Sequence, residues 1–187
     1  WNMVPNRDRY TYHINKHEDA DPNVMVMTIS GDDVDWQRIL SFPNLIELTL
    51  HEPSLEQLNS LSQLVQLERV RISHVRTKSI SFIEPLENLK ELVLEYVSGF
   101  SDLSPLCELT NLRSLHMENL RRVSSFAPLG SVNQLAYLRI DGTFDWKQPI
   151  ESFEFLKQMD SLEVFSLGNV INKEAYPATL PILALNN

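Results

Sequence analysis

The sequence predicts an α/β solenoid of about eight coils, each a short parallel β-strand on a concave sheet followed by a short helical or 3₁₀ segment on the convex side. Two observations predict it. The pattern LxxLxL recurs along the chain, and between its copies apolar residues fall at every third position. In "LEQLNSLSQLVQLERV", residues 55–70, leucines stand at Leu55, Leu58, Leu61, Leu64 and Leu67. An amphipathic α-helix alternates spacings of three and four, and a half-buried strand uses two. A single 3₁₀-helix has the right period but rarely persists beyond about 3–4 residues. A unit that changes secondary structure within each copy removes the conflict.

The expected strands begin at Val24 ("VMVMTI"), Leu45 ("LIELTL"), Leu67 ("LERVRI"), Leu89 ("LKELVL"), Leu112 ("LRSLHM"), Leu135 ("LAYLRI"), Leu162 ("LEVFSL") and Leu180 ("LPILAL"). Their steps are 21, 22, 22, 23, 23, 27 and 18 residues. Positions nine, six and three before a start are apolar throughout: Trp36, Ile39 and Phe42, then Leu58, Leu61 and Leu64, and so on to Phe153, Leu156 and Met159. These return segments should lie against the core, with Leu55 turning the chain away from the strand before it. Pro85, Pro105 and Pro128 are assigned one shared register in the first turn of a return segment, where a missing N–H costs nothing. Residues 1–23, with Trp1, Tyr10 and Tyr12, are expected to cap the first coil, and 24–187 to form the repeat domain. No cap follows Leu185. Either further coils or a cap continue beyond Asn187, or this edge meets another chain and offers a route to self-association.

These residues, and "DLSPLCELTNLRSLHM" at 102–117 most closely, resemble the leucine-rich repeat family, in its 22-residue class found in the internalins and in a phosphatase regulatory subunit. The resemblance covers about residues 24–185 and implies a horseshoe and a non-enzymatic interaction protein. One departure concerns the ninth position of each copy, where the family places Asn or Cys. Here stand Pro53, Val75, Val97, Leu120, Thr143 and Val170. The family's asparagine ladder is absent, an apolar ladder is expected in its place, and the backbone groups of that turn need another partner.

Composition narrows the function. Of 187 residues, 43% are apolar and 22% charged, as in ordinary soluble globular proteins. Sixteen Lys plus Arg against 25 Asp plus Glu give a net charge of −9, which supplies no basic footprint for nucleic acid. The single cysteine, Cys107, excludes an intrachain disulfide and any CxxC metal or redox motif, and reads as a packed or half-exposed thiol on a convex turn. No run of 18 apolar residues inserts into a membrane. The chain begins at Trp1 rather than methionine, which is compatible with a removed signal peptide or tag, so the cytoplasm is favoured only slightly over a secreted or surface location. His13 and His17 are four apart but lack a third ligand in register. No catalytic constellation, phosphate loop or cofactor motif is readable.

Strand side chains alternate between faces, so the third, fifth and seventh positions of each copy should line the concave sheet. The middle coils then carry Arg71, His116 and Arg139 beside Glu95, Glu118 and Asp141, with Arg69, Glu91 and Tyr137 in the third-position column and Tyr96 alongside. Strands lie about 4.8 Å apart, so the three carboxylates repel unless compensated. Either nearby bases neutralise them on a solvated face, or the face docks a protein through its Arg, Tyr and charged residues. A calcium site is the least supported reading, because calcium takes about 6–8 oxygens in a shaped loop. The long coil "DGTFDWKQPIESF" at 141–153 adds Phe144 and Trp146, which either bind or fold back over the coil edge. The reading is a protein-interaction scaffold with a concave docking sheet. Its alternatives are an internalin-like surface adhesin and a cytoplasmic regulator or inhibitor of an enzyme.

Overall fold

The computed structural model describes residues 12–16, 23–172 and 183–186, the last four by their backbone. The expectations resting on Trp1, Tyr10, His17 and Leu180 fall outside them. Eight parallel strands form one sheet: β1 (Val26–Ser30), β2 (Glu47–His51), β3 (Arg69–Arg76), β4 (Glu91–Ser98), β5 (Ser114–Glu118), β6 (Tyr137–Asp141), β8 (Val164–Gly168) and β10 (Leu183–Asn186). They stand in chain order, interrupted only because β7 (Gln148–Ile150) and β9 (Val170–Asn172) pair separately in a second, two-stranded sheet. Among the described residues no helix is long and apolar enough to cross a membrane.

The repeat sets this arrangement. Leu48, Leu50, Val70, Ile72, Leu92, Leu94, Leu115, Met117, Leu138, Ile140, Phe165 and Leu167 are each no more than 1% exposed, so the inward side chains of β2 to β6 and β8 share one core. A coil isolated from its neighbours would leave that row in water, and burial of each side chain is worth about 1.5–3 kcal/mol. The register is the one the repeats predict: Glu47, Arg69, Glu91, Ser114, Tyr137 and Val164 form one cross-strand row.

The three-residue period has a direct physical source. Return segments are built from successive i→i+3 hydrogen bonds: Ile83 N–H donates to the Ile80 carbonyl (3.1 Å), Leu86 to Ile83 (2.9 Å) and Leu89 to Leu86 (2.9 Å). Three residues per turn place every third side chain on one side, here the core. Trp36–Ser41, Leu61–Gln63, Ser104–Glu108, Ala127–Ser131 and Glu154–Gln158 are 3₁₀ segments of this kind. The one α-helix among the described residues, α1 (Leu55–Ser60), opens on a capping box in which Ser54 Oγ accepts from the Gln57 N–H and Gln57 Oε1 accepts from the Ser54 N–H.

Two expectations need correction. Pro105 and Pro128 do sit in the first turn of their 3₁₀ segments, but Pro85 follows the Ser81–Ile83 turn. It precedes its strand leucine by four residues where the other two precede theirs by seven. Leu58, Leu61 and Leu64 face the core as expected, and Leu55, the first residue of α1, stands 59% exposed where the return begins. The ninth-position row is only partly an apolar ladder: Pro53, Val97 and Leu120 are buried, whereas Val75, Thr143 and Val170 are half-buried.

The turn backbone is satisfied in two ways that replace the asparagines. Ladder pairing runs on past the turn, with Val75 opposite Val97, Arg76 opposite Ser98, and β7 opposite β9. Elsewhere two buried glutamines serve. Gln57 Nε2 donates to the Ser30 carbonyl (2.8 Å). Gln148 Oε1 accepts from the Leu120 N–H (3.0 Å), and its Nε2 donates to the Val123 carbonyl (2.7 Å).

At the end of the concave strands the chain turns through left-handed backbone at Glu52, His74, Tyr96, Asn119 and Asn169, with φ of 47°, 59°, 54°, 54° and 50°. Gly142 occupies this rim position in the long coil, where a Cβ would lie 2.3 Å from the Asn169 carbonyl oxygen.

Candidate functional site

The concave face assembles the predicted columns. The fifth-position row runs Thr28, Thr49, Arg71, Val93, His116, Arg139, Ser166, and the seventh runs Ser30, His51, Ser73, Glu95, Glu118, Asp141, Gly168. Most of its charge is already compensated, by Arg69 and Arg71 across strands and by Arg139 within β6. Arg69 Nε donates to Glu47 (2.9 Å), Arg71 Nε donates to Glu95 (2.9 Å), and Arg139 binds Asp141. Arg69 and Arg71 side chains are only 11% and 13% exposed, so both guanidiniums are spent largely on these partners. Glu91 is half-buried beside them, and Val93, although on this face, is 1% exposed under the longer side chains.

Toward β5 and β6 the balance changes. Asp141, 5% exposed, accepts from Arg139 and also lies 3.1 Å from His116 Nε2. Burial alone would lower the Arg139 pKa, but the Asp141 hydrogen bond and charge more than reverse this, and a contact with Tyr137 adds to the rise. Glu118 is different. It receives the Tyr96 hydroxyl, and His116 Nε2 is 4.0 Å away. Desolvation first, then the charge of Glu95, hold its carboxyl above the usual carboxylate range. Burial and the same Glu118 charge raise the Tyr96 phenol.

His116, Glu118 and Asp141 bring one potential ligand atom each within 4.8 Å of one another, the one such group among the described residues. Arg139 and His116 already share one oxygen of Asp141, and that occupies the donor set. Cys107 is half-buried, near the Pro128 carbonyl (3.4 Å), with its thiol pushed up by burial.

Beside these residues the long coil forms a rim. A tight turn closes with Thr143 N–H donating to the Trp146 carbonyl (2.7 Å) and Thr143 Oγ1 to Asp145 (2.9 Å). Phe144 projects from its tip, 103% exposed, while Trp146 folds back under the Arg121 guanidinium at 6.0 Å. Of the two insertion aromatics, one folds back over the coil edge and the other stands in solvent. Tyr96, Glu118, Arg139, Asp141, Gly142 and Phe144 enclose most of a pocket of about 280 Å³. Further along the same rim His74 stacks on Tyr96, ring centroids 4.6 Å apart and 8° from parallel, and meets His51 edge-on at 5.2 Å.

The columns were readable from the repeats. Gln57 and Gln148 were not identified, though Ser54 and Gln57 carry the capping-box spacing that could have found the first. Gln148 lies in the insertion, where no repeat register exists to compare it with.

No protein-family model and no curated protein sequence matches the chain. Solved structures do. The crystal structure of an internalin (inlF) from Listeria monocytogenes is similar at a TM-score of 0.58 and 26% identity, over 81% of this chain. That of internalin C2 (inlC2) from the same organism is similar at 0.63 and 20% identity, over 88%. The match spans 43% of the first internalin's length and 72% of the second's. With the recurring LxxLxL strands in one parallel sheet, the chain is a leucine-rich repeat protein resembling the internalins.

Proposed function

We propose that the chain docks a protein partner on its concave sheet, over β4 to β6 and the adjoining Phe144 turn. The observation that carries this reading is Phe144. A fully exposed phenylalanine gains nothing for the fold, and it stands at the edge of a charged, tyrosine-bearing face. Aromatic anchors beside charged residues are what protein interfaces concentrate. Tyr137, His116, Arg139, Glu118 and Tyr96 supply the surrounding contacts, and the β5–β6 end is favoured because the arginines of β3 are engaged with their own carboxylates. The net charge of −9 steers approach toward basic partners. The reading also rests on the internalin likeness, which supports an interaction scaffold rather than an enzyme.

Panning a displayed peptide library on the folded chain tests the docking face. Selected peptides should bind the Tyr137→Ala/Phe144→Ala double variant about tenfold or more weakly, as expected when interface anchors are truncated. Peptides that bind both proteins equally would move the docking surface elsewhere. Reversing Arg71 or Arg139 is a poorer test, because each would leave a carboxylate facing another acid.

A further inference from the structure

Granting that docking face, we infer that the pocket between Tyr96, Glu118 and Phe144 receives a cationic side chain, lysine or arginine, of the protein partner. The charge count is local. Glu95, Glu118 and Asp141 face Arg71 and Arg139, so three carboxylates meet two guanidiniums. The pairing leaves the uncompensated negative charge on Glu118. Its contacts are a phenol hydroxyl and an imidazole at 4.0 Å, and no lysine or arginine lies within ion-pair distance of it among the described residues. Asp145, on the Phe144 turn, adds its negative field at Tyr96.

The walls suit the stem of such a side chain as well as its head. Tyr96 and Phe144 offer aromatic faces, on which methylenes pack and cations are attracted by the ring quadrupole. A volume of about 280 Å³ is below the usual range for a small-molecule pocket and admits one long side chain. A divalent metal on His116, Glu118 and Asp141 fits less well. It would have to displace Arg139 from Asp141, whereas an ammonium or guanidinium needs only Glu118.

Titration of the ¹⁵N-labelled chain with N-acetyl-argininamide, N-acetyl-lysinamide and neutral N-acetyl-citrullinamide tests this. The two cationic probes should shift the amides of Glu118, Gly142 and Phe144, and the citrulline compound should leave them unmoved. Glu118→Gln should weaken cation binding about tenfold or more, the loss expected for a charge-assisted hydrogen bond. Phe144→Ala, at a position that cannot unfold the chain by losing contacts, should weaken it as well. Equal shifts with citrullinamide, or undiminished binding to Glu118→Gln, would overturn the inference. So would zinc chloride saturating the His116 signals while both cationic probes leave Glu118 unmoved. If library peptides still select Tyr137 and Phe144 in that case, the docking face stands and only its cation pocket fails.

Discussion

Glu118 carries a cost of burial on the concave face. Its pKa is raised by burial and by Glu95, so the folded chain holds that proton more tightly than the unfolded chain does. The associated stability is present below the ordinary carboxylate range, near pH 4, and is lost as pH rises through the folded-state value. Glu118→Gln should therefore raise the melting temperature at pH 7, and the gain should disappear near pH 4, as thermal melts at the two pH values will show. Gln148 works in the opposite direction. At 1% exposure it holds the Leu120 N–H and the Val123 carbonyl, and each buried group left unpaired costs about 1–3 kcal/mol. Gln148→Ala should lower unfolding free energy by about that amount per group in urea titration. Neither effect is visible in a list of residues. Arg71 and Glu95 are 24 positions apart and become neighbours only through the register of β3 and β4, which is why the sequence yielded the charged columns but not which charges were already spent.

Within a coil, the strand and the 3₁₀ return impose different periods on one apolar set. Leu92, at 1% exposure, belongs to the strand set and faces neighbours from both adjacent coils, so Leu92→Ala should cost about 2–5 kcal/mol. Glu87→Ala, on the exposed side of the preceding return, should change stability by no more than about 0.5 kcal/mol. Chemical denaturation of both variants checks the assignment. Strands and returns were legible because each copy could be laid against the next. The coil at 141–153 was not, since its extra residues form a turn ahead of β7 that no other coil has among the described residues. Pro85 failed for a related reason: proline suits several positions of a tight turn, so its identity does not fix its place.

At the scale of the molecule, each strand of the eight-stranded sheet pairs only with its immediate neighbours in the stack, and stability is close to a sum over coils and their interfaces. The sum is uneven. β3 and β4 pair through Arg76 and Ser98, whereas β1–β2, β5–β6 and β6–β8 stop at the seventh repeat position. Amide exchange should accordingly be slowest in β3 and β4, and a protection maximum at β1 or β8 would contradict this distribution. The same unevenness has a mechanical meaning. The ladder hydrogen bonds lie along the axis on which the coils are stacked, so tension applied to the two ends loads the rungs in series. Under such a pull the chain behaves as a spring that lengthens coil by coil, its end turns yielding first and the β3–β4 turn holding longest.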